Sequence, residues 1–297
     1  MRATRLSWLA AFTVLAGMAR AQDAPAAKKP LRVHVIGASV SGGFRDGPLF
    51  GAKEQGDSVT LQQVLKPWAD GKARVTTHSP LEMTVFFEDP FAHGENEIQA
   101  AKKAKADLVV AIDFPFWFAY GRVGGDAAAA RKERLGKGLE MLASLDVPVL
   151  LGDLPDMHGA AKRMLADSMI PSVEQLRDLN AQLVEFVQQH PKLHLVELSG
   201  IVHTMRDQGV VLPLADGPLP TAKGALQQED RLHATRLGMA YLGFTIQGAL
   251  AAACPDDHPL RQQSWSFERF VVAAGAESDL EALKAAAAAP AGAGSGR

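Results

Sequence analysis

The sequence predicts an α/β three-layer sandwich, with helices on both faces of a parallel sheet. Three observations carry that prediction. Short continuous apolar runs, such as residues 107–112 and 147–151, suit strands buried on both faces. These runs alternate with stretches of helical periodicity. With 297 residues, 47% of them hydrophobic, the chain has apolar material for one large core or two small ones.

The elements follow in order. Residues 31–36 are an apolar, β-rich run. Residues 58–68 place Val59, Leu61, Val64, Leu65 and Trp68 at helical spacing. Residues 74–77 and 83–87 are short strand candidates. A helix is expected over 95–106, with Gly94 ahead of it and Lys102, Lys103 and Lys105 suiting its C-terminal end. Residues 107–112 form the clearest buried strand, followed by a helix over 131–145 and a strand over 147–151. Residues 173–189 read as an amphipathic helix with Val173, Leu176, Leu179, Leu183, Phe186 and Val187 on one side. A strand over 193–198 and a long helix over 234–253 complete the pattern. No internal repeat is visible, and the Ala-, Gly- and Pro-rich tail over 285–297 is expected to be disordered.

The N-terminus has the layout of a secretory signal peptide. Arg2 and Arg5 precede a mostly apolar stretch over 6–18, and Ala19-Arg20-Ala21 offers a small-residue cleavage site. About 13 apolar residues fall short of the ~20 a membrane-spanning helix needs. Every later hydrophobic run is broken by charges, Gly or Pro, so no stable membrane insertion is expected. The organisation expected is a signal peptide over 1–21, a linker over 22–30, one domain over 31–253 and a C-terminal extension over 254–297. The destination is the periplasm or the exterior.

Composition excludes some functions. A formal net charge of −2 provides no electrostatic reason to bind nucleic acid or an anionic membrane. Cys254 is the only cysteine, which rules out an intramolecular disulfide and any multi-cysteine metal site. It reads as a small packed apolar residue. The nine histidines form no tight metal-binding spacing, so no metal is expected.

Two segments carry chemistry. Val33-His34-Val35-Ile36-Gly37-Ala38-Ser39-Val40-Ser41-Gly42 reads as a strand running into a small-residue turn that carries Ser39. In open α/β sheets ligands sit beyond the carboxyl ends of the strands, where Ser39 would lie. Taken alone, Ser39 is equally a helix cap. A dinucleotide fingerprint is excluded because Gly37, Gly42 and Gly43 do not fit G-x-G-x-x-G. The G-x-S-x-G elbow is absent, since Val40 and Ser41 follow Ser39.

The second segment is Asp230-Arg231-Leu232-His233, ahead of the last long helix. A carboxylate that accepts from Nδ1 fixes the imidazole tautomer and leaves Nε2 free to take a serine proton. The bland reading is a capping Asp beside a surface His.

Together these blocks resemble the SGNH (GDSL-type) hydrolase family over about residues 31–252. Gly37-Ala38-Ser39-Val40-Ser41-Gly42 looks like its first block. Asp230-Arg231-Leu232-His233 running into Gly238 looks like its last, and Lys105 to Val110 resembles the strand before its third. The resemblance implies a flavodoxin-like sheet of about five strands. It implies Ser39 as nucleophile with Asp230 and His233 as its relay, acyl hydrolysis of the esterase, lipase, thioesterase or carbohydrate-deacetylase type on a small-molecule or polymer ester, and no cofactor. The chain departs from the pattern at Ala38, where the family has Asp. The second block's glycine is not evident near residues 77–80, and the third block departs at Asp113-Phe114-Pro115-Phe116-Trp117, where Gly-x-Asn-Asp should stand. The oxyanion-donating asparagine is therefore missing, a loss that typically costs ~10²–10³ in rate. This motivates a second reading, a catalytically impaired binding or scaffold protein on the same fold. In the aromatic run over 114–120, Phe114 and Trp117 are expected to line an acyl or aromatic pocket, the alternative being a hydrophobic plug or loop packed under the sheet.

Overall fold

The computed structural model describes residues 29–45, 58–78 and 87–288. The expected signal peptide, all but the last two linker residues, and nearly all of the strand expected over 83–87 lie outside them.

Five parallel strands form one sheet: β1 (Leu31–Val35), β4 (Ala73–Thr77), β5 (Leu108–Ala111), β6 (Val149–Gly152) and β7 (Leu193–Val196), in the spatial order β4-β1-β5-β6-β7. Counting only these strands the order is 2-1-3-4-5, the flavodoxin-like arrangement, with its switch point between β1 and β5. Val33 faces Leu108 and Val35 faces Val110 across that point. Every residue of β5 and β6 is buried, as continuous apolar strands between two helical layers must be. Between β1 and β4 run a one-turn helix α1 (Ser39–Gly42), a two-residue antiparallel ladder of β2 (Phe44–Arg45) with β3 (Ser58–Val59), and two short helices, α2 (Leu61–Val64) and α3 (Lys66–Ala69). The continuous helix expected over 58–68 is thus split. Thr60 caps α2 by accepting from the Gln63 amide, and Pro67 sits in the first turn of α3.

Helix α4 (Pro90–Lys103) starts five residues earlier than expected. Asp89 accepts from the Ala92 amide and Pro90 takes the first helical position, where its missing N–H costs nothing. Gly94 therefore lies inside the helix, where a Cβ would come within 2.8 Å of Phe118 Cζ. After β5 come a single turn α5 (Phe116–Ala119) and a long helix α6 (Ala127–Ala143), which Asp126 caps through the Ala128 and Ala129 amides. Helix α7 (Val173–Gln189) matches the expected bounds and opens with a Ser172/Gln175 capping box. The apolar run after residue 192 ends as strand at Val196 and continues as α8 (Leu198–His203). A π-helical turn (Thr204–Gln208) and a hairpin of β8 (Val211–Leu214) with β9 (Gly217–Pro220) follow.

Helix α9 (Arg236–Ala253) is capped by Thr235, which accepts from the Gly238 amide. Beyond it, α10 (Phe267–Ala274) and α11 (Glu277–Ala288) pack back onto the core, with Phe267 and Phe270 fully buried. The disorder expected from residue 285 is corrected for 285–288, which complete α11 as an alanine-rich turn. Cys254 is buried, and burial pushes its thiol pKa up to about 11. No helix among the described residues is long and apolar enough to cross a membrane.

Candidate active site

Ser39 stands at the start of α1, one turn beyond the carboxyl end of β1. Its neighbour Asp113 stands just beyond the carboxyl end of β5, so the two flank the switch point. Gly37 makes the turn possible: its φ is +134°, and a Cβ there would lie 2.2 Å from Asp113 Oδ1.

The Asp230–His233 segment is held by the ends of its own loop. The Thr235 amide donates to the Leu226 carbonyl at 3.0 Å, and the Gln228 amide to the His233 carbonyl at 2.9 Å. Gly238 lets that loop close, since a Cβ there would meet the Leu226 oxygen at 2.2 Å. Inside the loop, Asp230 Oδ1 accepts the amides of Leu232 (2.9 Å) and His233 (3.0 Å), with Arg231 left-handed at φ +60°. The carboxylate's other oxygen, Oδ2, lies 2.6 Å from His233 Nδ1. A carboxylate only accepts, so Nδ1 carries the ring hydrogen and Nε2 is left as an acceptor. Ser39 Oγ donates to that Nε2 at 2.9 Å, across 194 residues of sequence. The His233 and Asp230 side chains are 3% and 4% exposed, so this hydrogen bond is shielded from water. Burial alone would raise the Asp230 carboxyl pKa, but the His233 ring and the two loop amides outweigh it and hold it below the usual carboxylate range.

At the position of the missing asparagine, Asp113 borders the space beside Ser39 and commits both carboxylate oxygens to the serine turn. Its Oδ2 accepts the amides of Val40 (2.8 Å) and Ser41 (3.2 Å), and its Oδ1 accepts the Ser41 hydroxyl at 2.5 Å. Burial raises its pKa against these bonds. Behind it, Glu97 on α4 is 1% exposed. Burial pushes the Glu97 carboxyl well above its usual range; the Gly37 amide opposes the shift and the Asp113 charge adds to it. Neither Asp113's clamp nor Glu97 was legible as part of the site. The available signal was a carboxylate at the end of the central strand, and a glutamate in the buried stripe of Gly94, Ile98 and Ala101.

An apolar recess of about 680 Å³, counted out to its mouth, opens beside Ser39. Phe116 and Pro115 line it; Phe114 and Trp117, expected to do so, do not. The single turn of α5 sends successive rings to different sides. Phe114 packs against Phe118 (5.2 Å between centroids) beneath Gly94, and Trp117 packs against Phe87 (5.0 Å). Tyr120 stacks on Phe116 at 4.4 Å and donates to the Pro155 carbonyl, tying the loops after β5 and β6 together.

No protein-family model matches this chain. No curated protein sequence matches it either. Among solved structures it is similar to LAE5, an α/β hydrolase enzyme from the metagenome of Lake Arreo, Spain. That pair shows 12% identity and a TM-score of 0.47, over 76% of this chain and 98% of that one. It is also similar to Axe2, an acetylxylan esterase from Geobacillus stearothermophilus (15% identity, TM-score 0.45, 75% of this chain and 95% of that one). A third is TesA (17% identity, TM-score 0.45, 75% and 99%). The functional reading rests on the geometry of the site itself.

Proposed function

We propose that this protein is an exported serine ester hydrolase of the SGNH type. The observation that carries the reading is the hydrogen-bond chain from Ser39 through His233 to Asp230, drawn from segments 194 residues apart. Export rests on the signal-like N-terminus.

In the reaction, His233 Nε2 takes the Ser39 proton as Oγ attacks the ester carbonyl. Asp230 stabilises the imidazolium that forms. The Ser39 amide, which has no acceptor among the described residues, donates to the developing oxyanion. The tetrahedral intermediate then collapses. The alcohol leaves with the proton from His233, and an acyl group stays on Ser39. Water, deprotonated by the same nitrogen, attacks the acyl-enzyme and releases the acid, and the proton returns to Ser39.

The catalytically impaired reading is favoured by one observation, the carboxylate of Asp113 where an amide donor is expected. Two measurements separate the readings. The wild-type protein should hydrolyse p-nitrophenyl esters and react with a fluorophosphonate, and both should vanish in Ser39→Ala. Folded wild-type protein that is neither labelled nor active overturns the enzyme reading, as does activity that survives Ser39→Ala.

A further inference from the structure

We infer that the recess beside Ser39 is an acyl subsite for a short, uncharged, apolar chain of roughly four to six carbons, with Met205 among the residues that set its length. The inference rests on Ser39 being the acylated group.

The walls are aliphatic and sulfur-bearing: Leu154, Met157, Leu198, Val202, Met205 and Leu242, each buried. They come from the loop after β6, from α8, from the π-helical turn and from α9. The two carboxylates that border the recess already have hydrogen-bond partners, and the remaining polar side chain on its lining besides Ser39 is Gln227, whose Oε1 is buried without a partner among the described residues. Asp153 accepts the Ser199 amide (2.6 Å) and hydroxyl (2.5 Å), and Asp113 is held by Val40 and Ser41. A sugar could give one hydroxyl to Gln227 but would leave its others facing apolar walls, which costs more than burying a methylene chain returns. A chain ending in a carboxylate would meet Asp113 and Asp153 as like charges.

Size narrows the class further. The recess has about 50 Å³ of room for water-sized occupants. At ~10–15 Å³ each that is about four waters, or roughly three to five carbons beyond the carbonyl. An acetyl group leaves most of this room empty, whereas a long chain overruns it. Met205 lies in the π-helical turn, an irregular winding that recurs at functional sites. Its flexible, unbranched side chain is suited to a wall that meets a variable ligand.

The test is a series of p-nitrophenyl esters from acetate to laurate, read as kcat/KM. Each methylene that enters the recess should raise kcat/KM roughly fourfold. The optimum should then fall at butanoate to hexanoate, at least tenfold above acetate. Met205→Ala should move the optimum two or more carbons longer, and Met205→Phe should move it shorter. A maximum at acetate, a flat profile, or an optimum unmoved in a folded Met205 variant overturns the subsite while leaving the hydrolase reading intact. If the wild type turns over no ester and takes no fluorophosphonate, the hydrolase reading fails. The subsite is then judged by calorimetry with the uncharged hexanamide: no binding, or binding undiminished in Met205→Phe, overturns it.

Discussion

Asp113 reaches from the end of β5 to the turn after β1, where its Oδ1 accepts the Ser41 hydroxyl hydrogen at 2.5 Å. With the Val40 and Ser41 amides on its other oxygen, one carboxylate ties down three donors of the turn that carries Ser39. A buried amide left without an acceptor costs about 1–3 kcal/mol. Asp113→Ala should therefore lower Tm by roughly 5–10 °C and kcat by at least about tenfold, as Ser39 loses its aim. Asp113→Asn keeps one oxygen for the amides and can donate to Ser41 Oγ, so Tm and kcat should stay near wild type. Thermal melts and ester kinetics on the two variants check this; equal losses in both would overturn the clamp.

Asp230 is the orienting member of the triad. Asp230→Asn preserves shape but removes the anion that fixes the His233 tautomer. In a triad this change typically costs kcat about 10⁴-fold, and a loss of roughly 10³–10⁴ with little change in KM is expected at pH 7. A loss under tenfold would show that the carboxylate is a cap and no relay.

Glu97 should make stability depend on pH in a defined direction. Its folded pKa is raised by burial, so the native state holds its proton more tightly than the unfolded chain does. The resulting stability is complete below the unfolded value near 4.5 and drains away as pH rises toward the folded value. Glu97→Gln keeps the shape without this titration. Its Tm should exceed wild type at pH 8 and converge with it near pH 4. Melts of both proteins across that range decide the matter, and a constant offset would exclude the titration.

Phe270 tests whether the segment after α9 belongs to the fold. It is fully buried, meets Phe244 edge-on (centroids 6.1 Å apart), and is the ring that a Cβ at Gly243 would touch. Phe270→Ala should cost about 3–5 kcal/mol in urea unfolding, the usual result of emptying a packed aromatic site. A cost under about 1 kcal/mol would mean that the segment is only loosely attached.

Much of the fold was legible because parallel strands advertise themselves. Runs such as 107–112 must be apolar throughout to lie between two helical layers, and helices such as α7 carry both a cap and a stripe. Boundaries were missed where a local cap overrode periodicity, as when Asp89-Pro90 started α4 ahead of Gly94. The orientations of Phe114 and Trp117 were missed for another reason. Seven consecutive residues, all of them apolar or aromatic, have no polar face to show which rings turn inward.

By itself, the sequence determined the strand and helix alternation and the local Asp230–His233 turn, because both are written in neighbours a few residues apart. Only the tertiary structure decided that Ser39 meets His233, that Asp113 turns its charge to the serine loop, and that Phe116 rather than Phe114 lines the recess. The first is set by the loop ahead of α9 meeting the serine turn, the third by the single turn of α5, and the second by where β1 and β5 end side by side at the switch point of the sheet. That adjacency joins residues more than seventy positions apart, and no local pattern encodes it.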